Sequence, residues 1–474
     1  MRCDLDQVKQ IDVLPDDALL EIFYFYVGMN SRYQVESWQS LVHVCRRWRN
    51  LVFRSPHRLN LRLVCTPQTP ARDTLDVWPA LPLLIDGALT STSDTDNIIT
   101  ALGQSNRVCK VVLFAFAGSQ LEKVLATMQV PFPELTELRL SSYSSYDKTP
   151  PVIPDSFMDG SAPRLQIVHL SRLPFPGLPK LLMSATHLLY LDLSNIPHSG
   201  YISPEAMVAL ICPFSSLATL SLGFQSPHSL PDWETRSRPP PKCSILPALR
   251  KLDFKGVTEY LEELVTPIDT PQLDEMDIIF FNQINFYCPR LAQFINRTLT
   301  RRAPDEAHVQ FDDMIAGVKL RYRTKFGLEK ILTLSISCRE PDWQLSSIEQ
   351  VCNFSLRSLS TVEDLYILHG YSQLVWKDDA IQNTLWLQLL LPFTAVKNLY
   401  LSKKFAPGIA AALQELVGGR ITEVLPSLQN IFVEALKPSG PFQENIGRFI
   451  TARRLSDHPV TISGWDKASE MRFI

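Results

Sequence analysis

Glycine is scarce in this chain: 18 residues in 474, roughly 4% against a usual ~7%. Loops that cradle phosphates or dinucleotides need several close glycines, and neither G-x-G-x-x-G nor G-x-x-x-x-G-K-[ST] occurs. H-E-x-x-H and G-x-S-x-G are also missing, so the common metalloprotease and hydrolase signatures are excluded. Asp305-Glu306-Ala307-His308 spells a helicase box, but without a phosphate loop it has nothing to act on. No apolar run approaches the ~18 residues of a membrane span. Neither charge sign dominates: 46 Lys and Arg stand against 49 Asp and Glu, a net −3. A chain without a basic field is a poor bulk binder of nucleic acid. The first residues, with Asp4, Asp6, Lys9 and Asp12 ahead of any apolar run, do not read as a secretory signal. The nine cysteines show no C-x-x-C pair, and the nine histidines show no metal-ligand spacing with them or with one another. Reduced thiols in the cytoplasm or nucleus, no metal, no cofactor and no catalysis are the expectations.

What is present is a globular composition, 45% apolar and 20% charged. The length is about three times a ~150-residue domain, which means two or more units or one long repeat array. Proline is abundant, 35 residues or roughly 7%, so the elements are short and punctuated.

Residues 11–23 read as a helix start. Pro15 suits a first turn, Asp16 and Asp17 suit the positive end of the helix dipole, and Leu19, Ile22, Phe23 and Tyr26 recur at helical spacing. Residues 38–55 repeat the pattern through Trp38, Leu41, Val44, Cys45, Trp48, Leu51 and Val52, as one helix or two joined by a kink. Ser55-Pro56 ends it. Such a hairpin holds too little core to stand alone. Its apolar stripes either dock on the rest of the chain or bind a partner.

Leu14-Pro15-x-Asp17-Ala18-Leu19-x-x-Ile22-Phe23, followed by Trp38-x-x-Leu41-x-x-Val44-Cys45-Arg46-Arg47-Trp48, resembles an F-box. The departures are Asp17 in place of the usual Glu and a somewhat long stretch Val27–Ser37, which bear on loop geometry. The resemblance covers about a tenth of the chain. It implies docking to the Skp-family adaptor of cullin-RING ubiquitin ligases, with Leu14, Pro15, Leu19, Ile22, Phe23, Leu41, Val44, Cys45, Trp48 and Leu51 as the adaptor contacts. Some of these must instead hold the helices together.

The rest of the chain repeats an L-x-x-L-x-L template. Its copies are Val108/Val111/Leu113, Leu135/Leu138/Leu140, Leu165/Val168/Leu170, Leu188/Leu191/Leu193 and Leu217/Leu220/Leu222. They continue as Leu249/Leu252/Phe254, Leu273/Met276/Ile278, Ile331/Leu334/Ile336, Val362/Leu365/Ile367, Val396/Leu399/Leu401 and Leu428/Ile431/Val433. The first positions are 27, 30, 23, 29, 32, 24, 58, 31, 34 and 32 residues apart. The 58 is twice 29, so one degenerate copy is expected between 279 and 330, at Val309-Gln310-Phe311 or Val318-Lys319-Leu320. A sustained period of this size marks a repeat array. Five copies are preceded by a proline phrase, as in Phe132-Pro133-Glu134-Leu135 and Leu425-Pro426-Ser427-Leu428.

This pattern resembles a leucine-rich repeat, with degenerate copies that lack the usual Asn or Cys after the strand. Tyr143, Leu173, Ile196, Gln225 and Val257 stand there instead. An F-box joined to such repeats is similar to a large class of fungal F-box proteins. The expected fold is α/β: a short helical F-box at 11–56, a connector with first strands at 57–107, and a solenoid of parallel strands with helices and loops on its outer side at 108–465, with tails at 1–10 and 466–474. Two stretches, the Ser- and Pro-rich 141–163 and the Pro-rich 226–247, read as exposed, mobile insertions. Side chains flanking the strand anchors should face the concave side: Arg139, His169, Tyr190, Asp192, Lys251, Asp253, Asp277, Tyr366, Tyr400 and Phe432. The expected function is a non-catalytic substrate receptor of an SCF-type ligase that brings a protein substrate to the ubiquitin carrier. The alternatives are an F-box scaffold acting outside ubiquitination, or an enzyme with a site that no motif reveals.

Overall fold

The computed structural model describes residues 14–29, 37–143, 151–176, 178–227, 244–281, 286, 288–299, 303–322, 330–370, 380–436 and 441–466. The tails, most of the Pro-rich 226–247 stretch and the stretch 144–150 lie outside the described residues. The chain divides into two units, Met1–Tyr190 and Leu191–Ile474.

The first unit opens with three helices: α1 (Asp16–Met29), α2 (Ser37–Val42) and α3 (Arg46–Arg54). The second helical stretch is therefore broken, and Cys45 makes the break. Its backbone is extended, and its Sγ accepts from the Trp48 amide at 3.5 Å as the cap of α3. Arg47 ties α3 to the start of α1, donating to the Leu14 carbonyl and the Asp16 carboxylate, both at 2.6 Å. Arg58 reaches Glu21 on α1 at 2.6 Å. Trp38 docks this helical segment onto the chain behind it. Its indole N–H donates to the Arg62 carbonyl at 3.0 Å, and its ring meets Trp78 edge-on at 5.1 Å.

Five parallel strands follow, each pairing with the next: β1 (Leu63–Cys65), β2 (Leu83–Leu89), β3 (Val108–Ala115), β4 (Glu137–Ser142) and β5 (Ile167–Ser171). Short helices or a 3-10 turn join them, as parallel neighbours require. Gly87 on β2 is fixed by crowding, since a Cβ there would lie 2.2 Å from Pro67 Cδ. The stretch 151–163 is not the exposed insertion its composition suggests. The Ile153 amide donates to the Pro174 carbonyl at 2.9 Å, and Ile153, Phe157 and Met158 are buried. Those three side chains fill the core where a regular helix is missing.

The second unit begins with β6 (Tyr190–Ile196), beside β7 (Thr219–Phe224). A two-residue strand β8 (Ser244–Ile245) precedes β9 (Lys251–Gly256) and pairs with β10 (Ile268–Asp269), ahead of β11 (Glu275–Phe281). Next come β12 (Glu306–Phe311), β13 (Ile315–Tyr322) and β14 (Lys330–Ser337), and then β15 (Asp364–His369), β16 (Asn398–Leu401), β17 (Asn430–Glu434) and β18 (Thr461–Trp465). From β7 the spatial order is β7, β9, β11, β14, β13, β12, β15, β16, β17, β18.

That order corrects the single degenerate copy expected between 279 and 330. Both candidate segments are strands, but β13 runs antiparallel to β12 and to β14, inside a ladder that is otherwise parallel. Alternation of apolar residues specifies a strand without specifying its direction, so the meander was invisible in the pattern. The copy at Ile331 also shifts. Leu332, Leu334 and Ile336 are the buried anchors of β14, aligned with Met276, Ile278 and Phe280 of β11, and Ile331 is half-exposed.

The other anchors are buried throughout. The five proline phrases share one geometry. The Leu135, Leu165, Leu249, Leu273 and Leu428 amides each donate to the carbonyl three residues back, at 3.1–3.3 Å. Proline occupies the second position of each turn, where its fixed φ is already correct and its missing N–H is not needed. Where the usual Asn would stand, Leu173, Ile196 and Val257 are buried, so apolar packing replaces the missing hydrogen bonds. The strand exits at Arg172, Asn195 and Ala435 take positive φ of 59°, 52° and 50°.

Arg453 is fully buried and was not foreseen. Its guanidinium donates to the carbonyls of Ile421, Leu425, Pro426 and Leu428 at 3.1–3.3 Å, closing the turn that feeds β17. Arg453→Met removes the guanidinium donors from all four carbonyls, of which Leu425 keeps the Leu428 amide. The expected loss is about 2–4 kcal/mol, read as a lower Tm with an unchanged far-UV spectrum below the transition.

Candidate protein-interaction surfaces

In the helical segment the structure separates two roles that the sequence left mixed. Leu19, Phe23, Leu41 and Leu51 are buried and hold the helices together. Pro15, Ile22 (51% exposed) and Val44 (58%) face outward. Leu14, Cys45 and Trp48 are half-buried, and the Trp48 ring packs on Phe23 at 4.7 Å. Ile22 and Tyr26 therefore do not share a face with Leu19 and Phe23. They lie with Phe25 (61% exposed) on a second apolar stripe of α1. Phe25 was missed, although its spacing of three residues from Ile22 is the signal that finds it.

On the first unit's sheet, the face opposite the buried anchors carries a polar cluster. Glu137 accepts from Arg139 at 2.6 Å and pairs with Lys110 at 3.0 Å. Burial pushes the Glu137 carboxyl up, but the two cations outweigh it and hold it below the usual carboxylate range. Arg139 also lies over the Tyr190 ring at 5.8 Å, and His169 Nε2 is 3.4 Å from Ser141 Oγ. Arg139, His169 and Tyr190 thus stand together.

In the second unit strand pairing aligns one row of side chains: Asp253, Asp277, Thr333, Lys319, His308, Tyr366, Tyr400, Phe432 and Ser463, on consecutive strands from β9 to β18. Five predicted residues fall on this row. Lys251 stands on the row beside it, and Asp192 on β6 lies in the same unit. The rings stack face to face. His308 and Tyr366 are 4.5 Å apart, Tyr366 and Tyr400 4.1 Å, and Tyr400 and Phe432 4.6 Å, all within 12° of parallel. Strand spacing of ~4.8 Å sets these distances. Trp465 closes the stack edge-on, 5.6 Å from Tyr400, and donates to the Leu401 carbonyl at 3.3 Å. His308 and Trp465 extend the aromatic line beyond the predicted residues.

The neighbouring row is a chain of hydrogen bonds. Asn398 donates to Asp364 at 2.7 Å, Asn430 to Asn398 at 2.8 Å, and Thr461 to Asn430 at 2.6 Å. In the insert that row holds Glu306, which pairs with His308 and has Arg321 at 3.9 Å, all three buried. At the other end Lys251 pairs with Glu275 at 2.6 Å and with Asp253 at 3.5 Å. Among the described residues no group of three or more His, Cys, Asp or Glu is placed to hold a metal ion. No helix in them is long and apolar enough to cross a membrane.

No protein-family model matches the chain, and no curated protein matches it in sequence. Among solved structures it is similar to the leucine-rich repeat-containing protein LegL7 from Legionella pneumophila, at 13% identity and a TM-score of 0.28, over 82% of this chain and 97% of that one. The fold itself is mixed α/β with a parallel-dominated sheet, consistent with a leucine-rich-repeat-like array.

Burial, only partly offset by Lys251 and reinforced by Asp277 and Glu275, raises the Asp253 carboxyl to about 6. The folded state therefore holds this proton more tightly than the unfolded chain. The corresponding stability is present below the unfolded value near 4 and is lost as pH rises through about 6. Asp253→Asn is expected to raise Tm at pH 7.5, with the gain shrinking to nothing near pH 4, in paired melting curves across that range.

Proposed function

We propose that the chain is a non-catalytic substrate receptor of an SCF-type ubiquitin ligase. The helical segment binds a Skp-family adaptor, and the repeat sheet holds a protein substrate. One observation carries this reading. The three N-terminal helices spend one apolar stripe on their own core, while Ile22, Phe25, Tyr26 and Val44 stay 41–61% exposed. A helix pair that presents a second apolar stripe to solvent is built for a partner. The match of Leu14-Pro15, Ile22-Phe23 and Val44-Cys45-x-x-Trp48 to the F-box pattern names the partner class.

The role of such a receptor is proximity. It raises the effective concentration of a substrate lysine at the charged ubiquitin carrier, and makes no bond itself. The stacked aromatic row offers broad, preorganised contact area of the kind enriched at interface centres.

Co-expression with a Skp-family adaptor tests the reading. A stoichiometric complex that recruits cullin is expected. Ile22→Asp combined with Val44→Asp alters exposed positions only, so the variant should keep the wild-type Tm. Hot-spot losses of at least ~2 kcal/mol correspond to adaptor binding about 30-fold weaker. Unchanged affinity in the folded double variant would exclude this surface as the adaptor site. A complex that never recruits cullin would move the protein from ligase receptor to adaptor-bound scaffold.

A further inference from the structure

We infer that a cavity on the β12–β13–β14 insert binds a neutral aromatic side chain of a partner protein, one whose ring carries a single hydrogen-bond donor, as tryptophan and tyrosine do. The cavity has a volume of about 290 Å³ and opens where the ring stack ends. His308 is the last ring of that stack. Tyr366 lies parallel to it at 4.5 Å and covers one of its faces. The strand order puts Tyr366 on the β15 side, so the other face of the imidazole looks toward β13, and on that side His308 borders the cavity. The row continues from His308 through Lys319 and Thr333, which carry no rings. On the neighbouring row Gln310, Gly317 and Ser335 are aligned, and of these Gly317 has no side chain and Ser335 a short one. The stack therefore ends beside a hollow with one ring face turned into it.

The lining selects a neutral ring over a charged group. Lys319 and Asp312 carry opposite charges, so the wall favours neither an anion nor a cation. The Lys319 charge is also engaged away from His308. Burial raises the Asp277 carboxyl on β11, and Lys251 and Lys319 draw it part of the way back. Ile315 and Leu368 give apolar contact to the body of a ring, and Gly317 brings bare backbone up to it. Asp312, Thr333 and Ser335 supply oxygens that accept a ring N–H or O–H. Asp312 Oδ1 accepts from the Asp313 amide at 2.8 Å, which leaves Oδ2 for the incoming donor. The chain carries its own example of such a fit at the other end of the stack. Trp465 meets Tyr366 and Tyr400 edge-on, at 6.2 and 5.6 Å, and its indole N–H donates to the Leu401 carbonyl at 3.3 Å. Contact with stacked rings and one hydrogen bond from the ring's own donor hold that indole on the sheet. The cavity offers the same two interactions, a free imidazole face and an acceptor, with no side chain of the stack supplying the ring.

The inference rests on the reading of the repeat sheet as the substrate-holding surface and names a group that this surface holds. Its failure is distinguishable from failure of the receptor reading, because small amides report on the cavity while co-expression reports on the adaptor. The full-length chain is titrated with N-acetyltryptophanamide, N-acetyltyrosinamide, N-acetylphenylalaninamide and N-acetylleucinamide, followed by ligand-observed NMR. Millimolar binding is expected for the tryptophan and tyrosine probes, at least about tenfold tighter than for the leucine probe, with the phenylalanine probe between. Gln310 is exposed at the cavity's edge, so Gln310→Trp places a ring over the hollow without entering the core. Binding should be lost in this variant with Tm unchanged. Asp312→Ala is the second variant. It should bring the tryptophan and tyrosine probes down to the affinity of the phenylalanine probe and leave that probe as it was. Equal affinity for all four probes, no binding by any of them, or wild-type affinity in folded Gln310→Trp would overturn the inference. A phenylalanine probe as tight as the tryptophan probe in the wild type, or an undiminished tryptophan preference in Asp312→Ala, would overturn the requirement for a ring donor.

Discussion

Everything in the two units depends on closing backbone hydrogen bonds between neighbouring strands while each strand buries two or three anchors. Leu138 and Leu140 on β4 and Leu399 and Leu401 on β16 are almost fully out of water. At ~25 cal/mol per Å², each such side chain contributes about 1.5–3 kcal/mol. No single repeat buries enough to stand alone, so each relies on its neighbour. The turn before the strand makes this workable. Its amide-to-carbonyl bond places the first anchor, and the strand register then follows.

Once the register is set, the opposite face has no freedom of its own. Aligned positions sit one strand spacing apart, which is also the stacking distance of flat rings. Tyr366, Tyr400 and Phe432 therefore stack because of where they lie in the repeat, and the Asp364–Asn398–Asn430–Thr461 chain forms for the same reason. Preorganisation of this kind lowers the ordering cost of a contact surface. The acidic pair Asp253 and Asp277 shows the converse. Burial raises the Asp253 carboxyl, and alignment adds to the rise by placing the like charge of Asp277 on the neighbouring strand.

The parts legible in the sequence are those set by local pattern. Ten of the anchor triplets are the buried ones, because the L-x-x-L-x-L spacing encodes turn, strand and core side together. The stacked row was legible for the same reason. What escaped was set at longer range. The direction of β13 depends on its neighbours and not on its own alternation. In Lys330-Ile331-Leu332-Thr333-Leu334 both Ile331 and Leu332 fit the template, and only pairing with β11 selects Leu332. Arg453 reads as a surface cation until the carbonyls of a distant turn converge on it. In α1, apolar residues on nearly every face hide which stripe is core. Only the Arg47 and Arg58 ties to α1 and the docking of Trp38 resolve that Leu19 and Phe23 turn inward and Ile22 and Phe25 outward.

The insert shows how a repeat protein can acquire a pocket at small cost to its ladder. Adding β12 and β13 as an antiparallel pair keeps every edge bonded, since β12 serves β15 and β14 serves β11 as ordinary parallel neighbours. Thr333 stands in the row that rings fill on β15, β16 and β17, Gly317 and Ser335 stand on the next row, and on the row to the other side Glu306 pairs with His308 and has Arg321 at 3.9 Å. An aromatic surface with a polar hollow beside it is a more selective binding face than either alone. The rings contribute area, and the small and polar side chains beside them contribute shape and hydrogen-bonding groups that a partner must match.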